Sequence, residues 1–392
     1  YVAVGAAVIT VAVWTAIGSP DQAVVRTVAV LEIACPHALG LAIPLVTSIS
    51  TSLAARNGIL VKDRLALERM RTVDVLLFDK TGTLTKGAHR VTGSVSVSGD
   101  TDEVVRLAAA VEADSEHPLA RAIVAAGDEV GEVPTASEFQ SHSGRGVEAI
   151  VDGRRVAVGG PALLRERGLE APDELAADTA GWERRGAAVL WVVRDNAVIG
   201  SLALEDEIRP ESRQVVDRLH DLGVRVAMVT GDSAAVAEAV GGDLGIDEVH
   251  SEVLPAEKHR IVEQLQGRGM RVAMVGDGVN DAPALAQADV GIAIGAGTDV
   301  AIESAGIVLA SDDPRAVVSV RALSQASYRK MLQNLGWAAG YNVLAIPAAA
   351  GAFAFVGFVL PPAAAAILMS ASTVVVALNA QLLRRLPLAL GS

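Results

Sequence analysis

The sequence has one cysteine, few aromatic residues (3%) and no excess of basic residues. A single cysteine, Cys35, cannot form an internal disulfide, so its role has to be that of a thiol. The net charge is −13, from 33 basic and 46 acidic residues. This balance lacks the positive excess that favours binding to a phosphate backbone. We therefore expect no nucleic-acid partner.

Charged residues are also missing from long stretches of the chain. Residues 1–20 and 332–383 carry none, and Glu32 is the only one between 27 and 55. A helix needs ~20 apolar residues to cross the hydrocarbon core of a membrane. We predict four spans. Basic residues follow the second and fourth spans and precede the third, and such residues mark the cytosolic ends of spans. The block from about 56 to 330 is therefore expected in the cytosol. The predicted spans are 1–18, 24–50, 332–352 and 360–382.

The charged middle block reads as alternating strands and helices. Apolar runs at 73–78, 224–229 and 271–275 are typical of strands buried in a parallel sheet. A different pattern of short alternating strands indicates an inserted domain. The predicted fold is thus multidomain, with α-helical membrane spans, a Rossmann-like α/β domain and an inserted α+β domain. The predicted boundaries are 1–55 for the first two spans, 56–90 with 204–330 for the α/β domain, 91–203 for the insertion and 331–392 for the last two spans.

The segment DKTGTLT begins at Asp79, the last residue of a predicted strand. Ligands of open α/β sheets bind at the carboxyl ends of the strands. An aspartate there can accept a phosphoryl group as a covalent intermediate. The following Thr81, Gly82 and Thr83 offer hydroxyl and amide donors for the phosphoryl oxygens.

Three further segments are predicted to meet at the same sheet edge: TGD at 230–232, LPAEK ending at Lys258, and GDGVND at 276–281. Asp277 beside Asp79 would supply paired oxygens for Mg²⁺. The ammonium of Lys258 would neutralise charge that develops on the transferred group. Together the segments predict a site for phosphoryl transfer.

In this order, DKTGTLT, TGD and GDGVNDAP resemble the phosphorylation domain of P-type ATPases, a branch of the haloacid-dehalogenase-like superfamily. The resemblance implies that ATP phosphorylates Asp79 and that Thr81 and Asp277 join Asp79 in holding Mg²⁺. It also implies a catalytic framework made of Lys80, Thr81, Thr230, Gly231, Asp232, Lys258, Asn280 and Asp281.

Thr81 argues against a simple phosphatase. Many phosphatases of the superfamily carry a second aspartate two residues after the nucleophile, as a general acid and base. Without that proton shuttle, an aspartyl phosphate should be hydrolysed slowly. A pump needs such a delay, because the phosphoenzyme must persist while transport occurs.

The inserted domain contains SEHPLARAI, in which Ser115 can cap a helix and His117 lies at its start. With Glu112, Gly144 and Gly146, this pattern resembles the nucleotide-binding domain of heavy-metal P-type ATPases. The resemblance implies that ATP binds here, with His117 against the purine and the glycines allowing close approach of the backbone.

The segment EIACPHALGLAIP lies inside the second predicted span. Pro36 is expected to break the helix and Pro44 to add a second break. Cys35 and His37 flank the first break, and a thiolate with an imidazole can hold a soft or borderline transition metal. The triplet resembles the CPx signature of heavy-metal P-type ATPases in its CPH form.

The last two spans supply further candidate ligands for the transported metal. Asn334, Tyr341, Asn342 and Pro347 fit the pattern N-x6-Y-N-x4-P of copper-type members, and MSAST fits the last helix of the CPH group. The resemblance thus implies a transported-metal site formed by Cys35, His37, Tyr341, Asn342, Met369 and Ser372. Glu32, three residues before Cys35, is our own candidate for metal entry, release or proton exchange.

Taken together, the resemblance implies the C-terminal portion of a type IB P-type ATPase of the CPH copper-exporting subgroup. Its cofactors would be Mg²⁺ and ATP, its cargo Cu(II) or Cu(I) with silver as a further option, and its location a cell membrane crossed several times. The actuator domain of the family, with its TGE loop, does not occur in this sequence. We expect a missing N-terminal part, and a chain that alone binds ATP without completing a transport cycle.

Three alternatives stay open from the sequence. A membrane-tethered phosphatase of the same superfamily is disfavoured by Thr81 and by the CPH triplet, and a metal sensor by the intact DKTGT and GDGVND segments. A silver or zinc exporter of the same family is the third. Zinc pumps more often carry Cys-Pro-Cys and a charge in the last helix, which this chain lacks.

Overall fold

A computed structural model describes residues 2–35, 37–115, 117–142, 145–295 and 298–388. Two residues of the predicted sites, Pro36 and Gly144, lie outside these ranges. The chain forms two compact units. The first comprises the residues up to 72, residues 306–310 and those from 316 onward, and the second comprises 73–305 and 311–315.

The first unit begins with apolar helices, which follow from the uncharged stretches of the sequence. Its elements are α1 (Val2–Ala16), α2 (Pro20–Ile33), α3 (His37–Arg56), β1 (Ile59–Val61) and α4 (Arg64–Arg69).

The second unit alternates strands and helices. Its elements are β2 (Val75–Asp79), β3 (Thr85–Ser96), α5 (Thr101–Glu112), α6 (Pro118–Val130), β4 (Ala136–His142), β5 (Gly146–Val151), β6 (Arg154–Gly159), α7 (Pro161–Arg167), α8 (Asp173–Arg185), β7 (Ala188–Arg194), β8 (Ala197–Ile208), α9 (Pro210–Asp221), β9 (Arg225–Val229), α10 (Ala234–Leu244), β10 (Glu248–His250), α11 (Lys258–Gly267), β11 (Val272–Gly276), α12 (Ala282–Gln287), β12 (Val290–Ile294) and α13 (Asp299–Ser304).

The chain then returns to the first unit with β13 (Ile307–Leu309), α14 (Arg315–Ala350) and α15 (Pro362–Gln381). Strand β13 pairs with β1 in an antiparallel register that sets Ile59 opposite Leu309. The uncharged C-terminal stretch thus forms two helices with a turn between Ala350 and Pro362, as its length and prolines predict.

The apolar runs of the second unit form parallel strands in the order β12, β11, β2, β9, β10. Residues of β2 and β11 are fully or almost fully buried, as expected for a sheet covered on both faces. One face packs against α11, α12 and α13. The parallel sheet confirms the predicted α/β domain and places the carboxyl ends of its strands at one edge.

A second sheet is inserted between β2 and β9 and is antiparallel throughout, in the order β3, β8, β7, β6, β5, β4. Side chains alternate between its faces. Val156 and Val158 pack toward α5, whereas Ala157 packs toward α7 and α8. This sheet spans Thr85–Ile208, slightly more than the predicted 91–203, and the exact domain boundaries stay a prediction.

Two helical segments among the described residues are long and apolar enough to cross a membrane, Pro20–Arg56 and Pro362–Arg385. The first contains the second predicted span, and the second overlaps the fourth predicted span from Pro362 onward. The first predicted span corresponds to α1, a shorter apolar helix, and the third lies within the 36-residue α14. The arrangement of four spans therefore stays a prediction.

The helix interruption expected near Pro36 is present, because α2 ends at Ile33 and α3 begins at His37. The second break predicted at Pro44 is wrong. Helix α3 continues through Pro44 to Arg56. A proline removes a single backbone hydrogen bond, and the remaining bonds of this helix keep it continuous.

Candidate functional site

The ends of β2, β9 and β11 bring the predicted catalytic residues together. Asp79 ends β2 opposite Val229, and Thr230 and Asp277 follow directly after β9 and β11. They surround a cavity of about 760 Å³, which we call the catalytic cavity. It is lined by the predicted residues Asp79, Thr81, Gly82, Thr230, Gly231, Asp232, Lys258, Asp277, Asn280 and Asp281.

Lys258 is the charged centre of this cavity. Its Nζ donates to Asp79 Oδ1 at 2.5 Å and to Asp281 Oδ1 at 2.7 Å, and all three residues are buried. The other oxygen of Asp281 accepts from the backbone N–H groups of Asp277 and Gly278, at 3.2 and 3.1 Å. Lys258 can take this place because it begins α11, directly after the LPAE turn.

Burial raises the pKa of Asp79, the charge of Asp281 raises it further, and Lys258 offsets only part of both effects, so the pKa lies at about 7. Burial and Asp281 also raise the pKa of Asp277. Burial lowers the pKa of Lys258, but the carboxylates of Asp79 and Asp281 outweigh it, and the net effect is a raised pKa. Counted over the described residues, the lining of this cavity contains five aspartates but two lysines and one arginine, so its acidic residues outnumber its basic ones.

Carboxylate oxygens of Asp79, Asp277 and Asp281 lie within 4.8 Å of one another, the arrangement that a metal ion needs. Hard oxygen donors of this kind suit Mg²⁺, and a divalent cation would relieve their repulsion. Gly82 leaves space for the carboxylate of Asp277, because a Cβ at residue 82 would stand 2.1 Å from Asp277 Oδ2. The residues present thus fit Mg²⁺.

Lys80 lies beside the catalytic cavity and does not line it. Its buried Nζ is 2.7 Å from Asp232 Oδ2. The N–H of Asp232 in turn donates to Thr230 Oγ1 at 3.2 Å. The predicted framework residues Lys80, Asp232 and Thr230 are therefore connected, with Lys80 positioned to hold the loop that carries Asp232.

The residues of the cavity that were not predicted include the charged pair Arg209 and Asp312. Arg209 donates from Nε to Thr85 O at 3.0 Å and from Nη2 to Gly82 O at 3.3 Å, and its Nη1 pairs with Asp312 Oδ2 at 2.9 Å. It thereby braces the DKTGT loop. No local motif marks either residue, since each reaches the site only through the tertiary fold.

A second cavity, of about 860 Å³, lies in the inserted domain. Glu112, His117 and Gly146, three of the predicted nucleotide residues, line it. Burial raises the pKa of Glu112, although a hydrogen bond to Ser115 and the nearby His117 partly offset this. Among the described residues, its buried Oε2 has no hydrogen-bond partner, so this oxygen can accept from a ligand. His117 caps α6, with Nδ1 accepting from the N–H of Leu119 at 3.3 Å.

Gly146 is required by the sheet itself. Its φ is +124°, and a Cβ there would stand 2.1 Å from the carbonyl oxygen of Val158 on the neighbouring strand. Gly159 is similar, because its Cβ would stand 2.2 Å from the carbonyl oxygen of Arg145. These glycines allow β5 and β6 to meet closely at the wall of the second cavity.

A third cavity, of about 640 Å³, lies in the first unit where α2 gives way to α3 and faces α15. Its lining includes the predicted ligands Cys35, His37 and Met369, together with Glu32. Among the described residues, Asp79, Asp277 and Asp281 are the one group that brings three His, Cys or acidic ligand atoms within 4.8 Å. The third cavity is therefore lined by Glu32, Cys35 and His37, but their ligand atoms do not all lie within 4.8 Å of one another.

The other predicted ligands of the transported metal, Tyr341, Asn342 and Ser372, are not part of the lining of the third cavity. Tyr341 packs against a core of α1, α2, α14 and α15 residues. Within the described part of the chain, the buried hydroxyl groups of Tyr341 and Ser372 have no hydrogen-bond partner. Their role as ligands stays a prediction.

Comparison with known proteins agrees with this architecture. The family of haloacid dehalogenase-like hydrolases matches residues 73–289. The copper-exporting P-type ATPase B of Archaeoglobus fulgidus is 50% identical over 96% of this chain and 54% of its own length. A probable copper-exporting P-type ATPase V of Mycobacterium tuberculosis is 48% identical over 97% of this chain and 49% of its own. The chain thus spans about half the length of these curated relatives.

Two solved structures are also similar to this chain. A zinc-transporting PIB-type ATPase in its E2.Pi state matches 98% of this chain and 62% of its own, with 34% identity and a TM-score of 0.85. The catalytic domain of the CPx-ATPase CopB-B matches 69% of this chain and 97% of its own, with 29% identity and a TM-score of 0.54. The chain therefore belongs to the haloacid dehalogenase-like hydrolase family.

Proposed function

We propose that this chain is the phosphorylated, nucleotide-binding and metal-binding part of a pump that exports copper across a membrane at the expense of ATP. The observation that carries the proposal is the placement of Asp79. It ends a buried parallel strand, between the ammonium of Lys258 and the carboxylates of Asp277 and Asp281. The names of the relatives, copper-exporting P-type ATPases, support the choice of cargo.

In the phosphorylation step, a carboxylate oxygen of Asp79 attacks the γ-phosphorus of ATP, and the bond to ADP breaks as ADP takes the electron pair. Lys258 neutralises charge on the transferred group. Asp79, Asp277 and the carbonyl of Thr81 would hold Mg²⁺, which supplies charge neutralisation on the phosphate oxygens. Thr230, Gly231 and Asn280, which line the same cavity, would hold the phosphoryl group in place.

The second cavity is proposed to bind ATP. Its volume suits a nucleotide, and the unpaired Oε2 of Glu112 offers an acceptor for an amino group of a purine. His117 stands at the cavity with one ring nitrogen already engaged by the backbone. This fixes the orientation of the imidazole against a bound base.

The third cavity is proposed as the place of the transported metal. Cys35, His37 and Met369 offer a thiolate, an imidazole and a thioether, which suit copper in either oxidation state. A thiolate with neutral ligands cannot fully neutralise a divalent ion in hydrocarbon. We infer that Glu32, the one acidic residue that the described residues contribute to this lining, supplies the second negative charge if the cargo is Cu(II). Silver or zinc is the alternative cargo, and zinc is the cargo named for the solved PIB-type structure.

The experiment that tests the proposal is metal-stimulated ATP hydrolysis by the full-length protein that contains this chain, across Cu(I), Cu(II), Ag(I) and Zn(II). We expect copper to stimulate, Cys35→Ser to abolish stimulation by every metal, and Glu32→Gln to reduce stimulation by Cu(II) more than by Cu(I). Met369→Leu should also reduce the stimulation of ATP hydrolysis by copper. Leu368→Met on the same helix should not, because Leu368 is outside the cavity lining.

Hydrolysis of simple phosphate esters without any response to metal would favour the membrane-tethered phosphatase. Stimulation by Zn(II) alone would replace the copper assignment. A Glu32→Gln protein with full Cu(II)-stimulated turnover would remove Glu32 from the metal pathway.

A further inference from the structure

Arg145 is the one lysine or arginine in the lining of the second cavity, within the part of the chain that the structure describes. The acidic residues of the same lining are Glu112 and Asp114. A nucleotide brings several further negative charges into this cavity. A cation is needed there for a nucleoside phosphate to bind well, and Arg145 is the residue placed to provide it.

The backbone of Arg145 is fixed. Its N–H donates to His142 O at 2.9 Å, and it directly precedes β5. Its carbonyl packs over Gly159 so closely that a Cβ on Gly159 would stand 2.2 Å from it. The side chain is free by comparison, with 48% of its surface exposed. A fixed backbone and a half-exposed guanidinium allow this side chain to change partners.

The partner of Arg145 in this structure is Glu166 on α7. Arg145 Nη1 lies 2.5 Å from Glu166 Oε1, and both side chains are about half exposed. Exposed ion pairs contribute little to stability, because water and salt screen them. Glu166 itself does not line the cavity. This pair can therefore be broken at small cost when a stronger acceptor arrives.

The neighbouring ion pairs are of a different kind. Glu148 is buried and is held by Arg155, at 2.8 Å, and by Arg167. Although burial raises the pKa of Glu148, its bonds to these two arginines outweigh that effect and lower it. Arg155 and Arg167 are thus committed to a buried carboxylate, which leaves Arg145 as the exchangeable arginine of the cluster.

We propose that Arg145 leaves Glu166 and binds the phosphate chain of a nucleotide in the second cavity, with Glu166 as its internal competitor. The planar guanidinium can donate two parallel hydrogen bonds to a phosphate, and such charge-assisted bonds are stronger than an exposed carboxylate pair. The inference rests on the proposed function, in that it takes the second cavity to bind ATP. It adds that the affinity is set by an exchange of partners at Arg145.

The test is calorimetric binding of ADP and of adenosine to the whole chain in detergent. Arg145→Gln should weaken ADP binding about tenfold, by loss of a charge-assisted bond, and leave adenosine binding unchanged. Glu166→Gln should tighten ADP binding by up to about fivefold, the range of an exposed ion pair. In the double variant the gain from Glu166→Gln should vanish, because its benefit acts through Arg145. Arg165→Gln is the matched control. Arg165 is an exposed residue of α7, the helix that carries Glu166, and lies outside the cavity lining, so this variant should change the binding of neither ligand.

Each other outcome has a definite meaning. If the unaltered chain binds ADP but Arg145→Gln does not weaken it, the exchange is wrong and the nucleotide site stands. An equal loss of adenosine binding in Arg145→Gln would make Arg145 a structural residue. A gain in ADP affinity from Glu166→Gln that persists in the double variant would mean that Glu166 repels the nucleotide at a distance and does not compete for Arg145. If the unaltered chain binds neither ligand, the proposed function itself fails.

Discussion

Replacing Gly82 by alanine should disable the metal-binding part of the catalytic cavity. Gly82 has a φ of +76°, in the left-handed region that costs an L-residue about 1–2 kcal/mol. The larger effect comes from contact. The new Cβ would stand 2.1 Å from Asp277 Oδ2 and 2.8 Å from its Cγ. The carboxylate would have to move by more than ~1 Å to reach an ordinary van der Waals separation.

That movement takes Asp277 out of the group of three carboxylates that lie within 4.8 Å of one another. Loss of one ionic ligand should raise the Mg²⁺ concentration needed for half-maximal phosphorylation by about tenfold or more, which corresponds to ~1.4 kcal/mol. The assay is acid-stable labelling of the full-length protein from radioactive ATP over a range of Mg²⁺ concentrations, with thermal unfolding measured alongside.

Gly87→Ala is the matched control. Gly87 has a similar φ of +65° and lines the same cavity, but its Cβ would meet only Gly82, at an ordinary 3.5 Å. It should share the small loss of stability and keep its dependence on Mg²⁺. If both variants need the same Mg²⁺ concentration, the close contact between Gly82 and Asp277 does not govern the metal site.

Two further predictions concern Lys258 and His117. Lys258→Met removes the ammonium that lowers the pKa of Asp79, so that pKa should rise above about 7. A raised carboxyl pKa contributes stability at low pH that is lost as pH rises. The gap in the free energy of unfolding between the variant and the unaltered protein should therefore widen above about pH 7 and reach about 3–5 kcal/mol. A gap that is constant with pH would contradict the coupling of Lys258 to Asp79. His117→Gln should weaken phosphorylation by ATP while phosphorylation by inorganic phosphate persists, because that reaction does not use the second cavity. Equal loss of both labels would make His117 structural.

The catalytic cavity was predictable because its residues follow a rule of position. Asp79, Thr230 and Asp277 each come directly after a short, continuously apolar run, and parallel strands place such residues at one edge. Lys258 was found for a similar reason, since LPAE marks the start of a helix. Local sequence and overall topology agree at these residues.

Other parts of the structure depend on distant contacts, and the sequence does not reveal them. Arg209 and Asp312 join the catalytic cavity from segments far apart in the chain, and no motif links them. The ion pair of Arg145 and Glu166 likewise joins a loop to a helix. At Pro44 the local rule predicted a break that the continuous helix α3 does not show. Periodicity and motifs describe elements and their ends, whereas pairs between elements are decided by packing.

The most direct test of the account is to identify the residue that carries the phosphoryl group. The full-length protein is labelled from radioactive ATP with Mg²⁺ and copper, quenched in acid and analysed by peptide mapping, in parallel with Asp79→Asn. An amide is nearly the same shape as a carboxylate but a poor nucleophile, so the variant should bind ATP normally and take up no acid-stable label, and the label of the unaltered protein should lie on Asp79. Label that survives in Asp79→Asn, or that maps to another residue, would contradict the central claim.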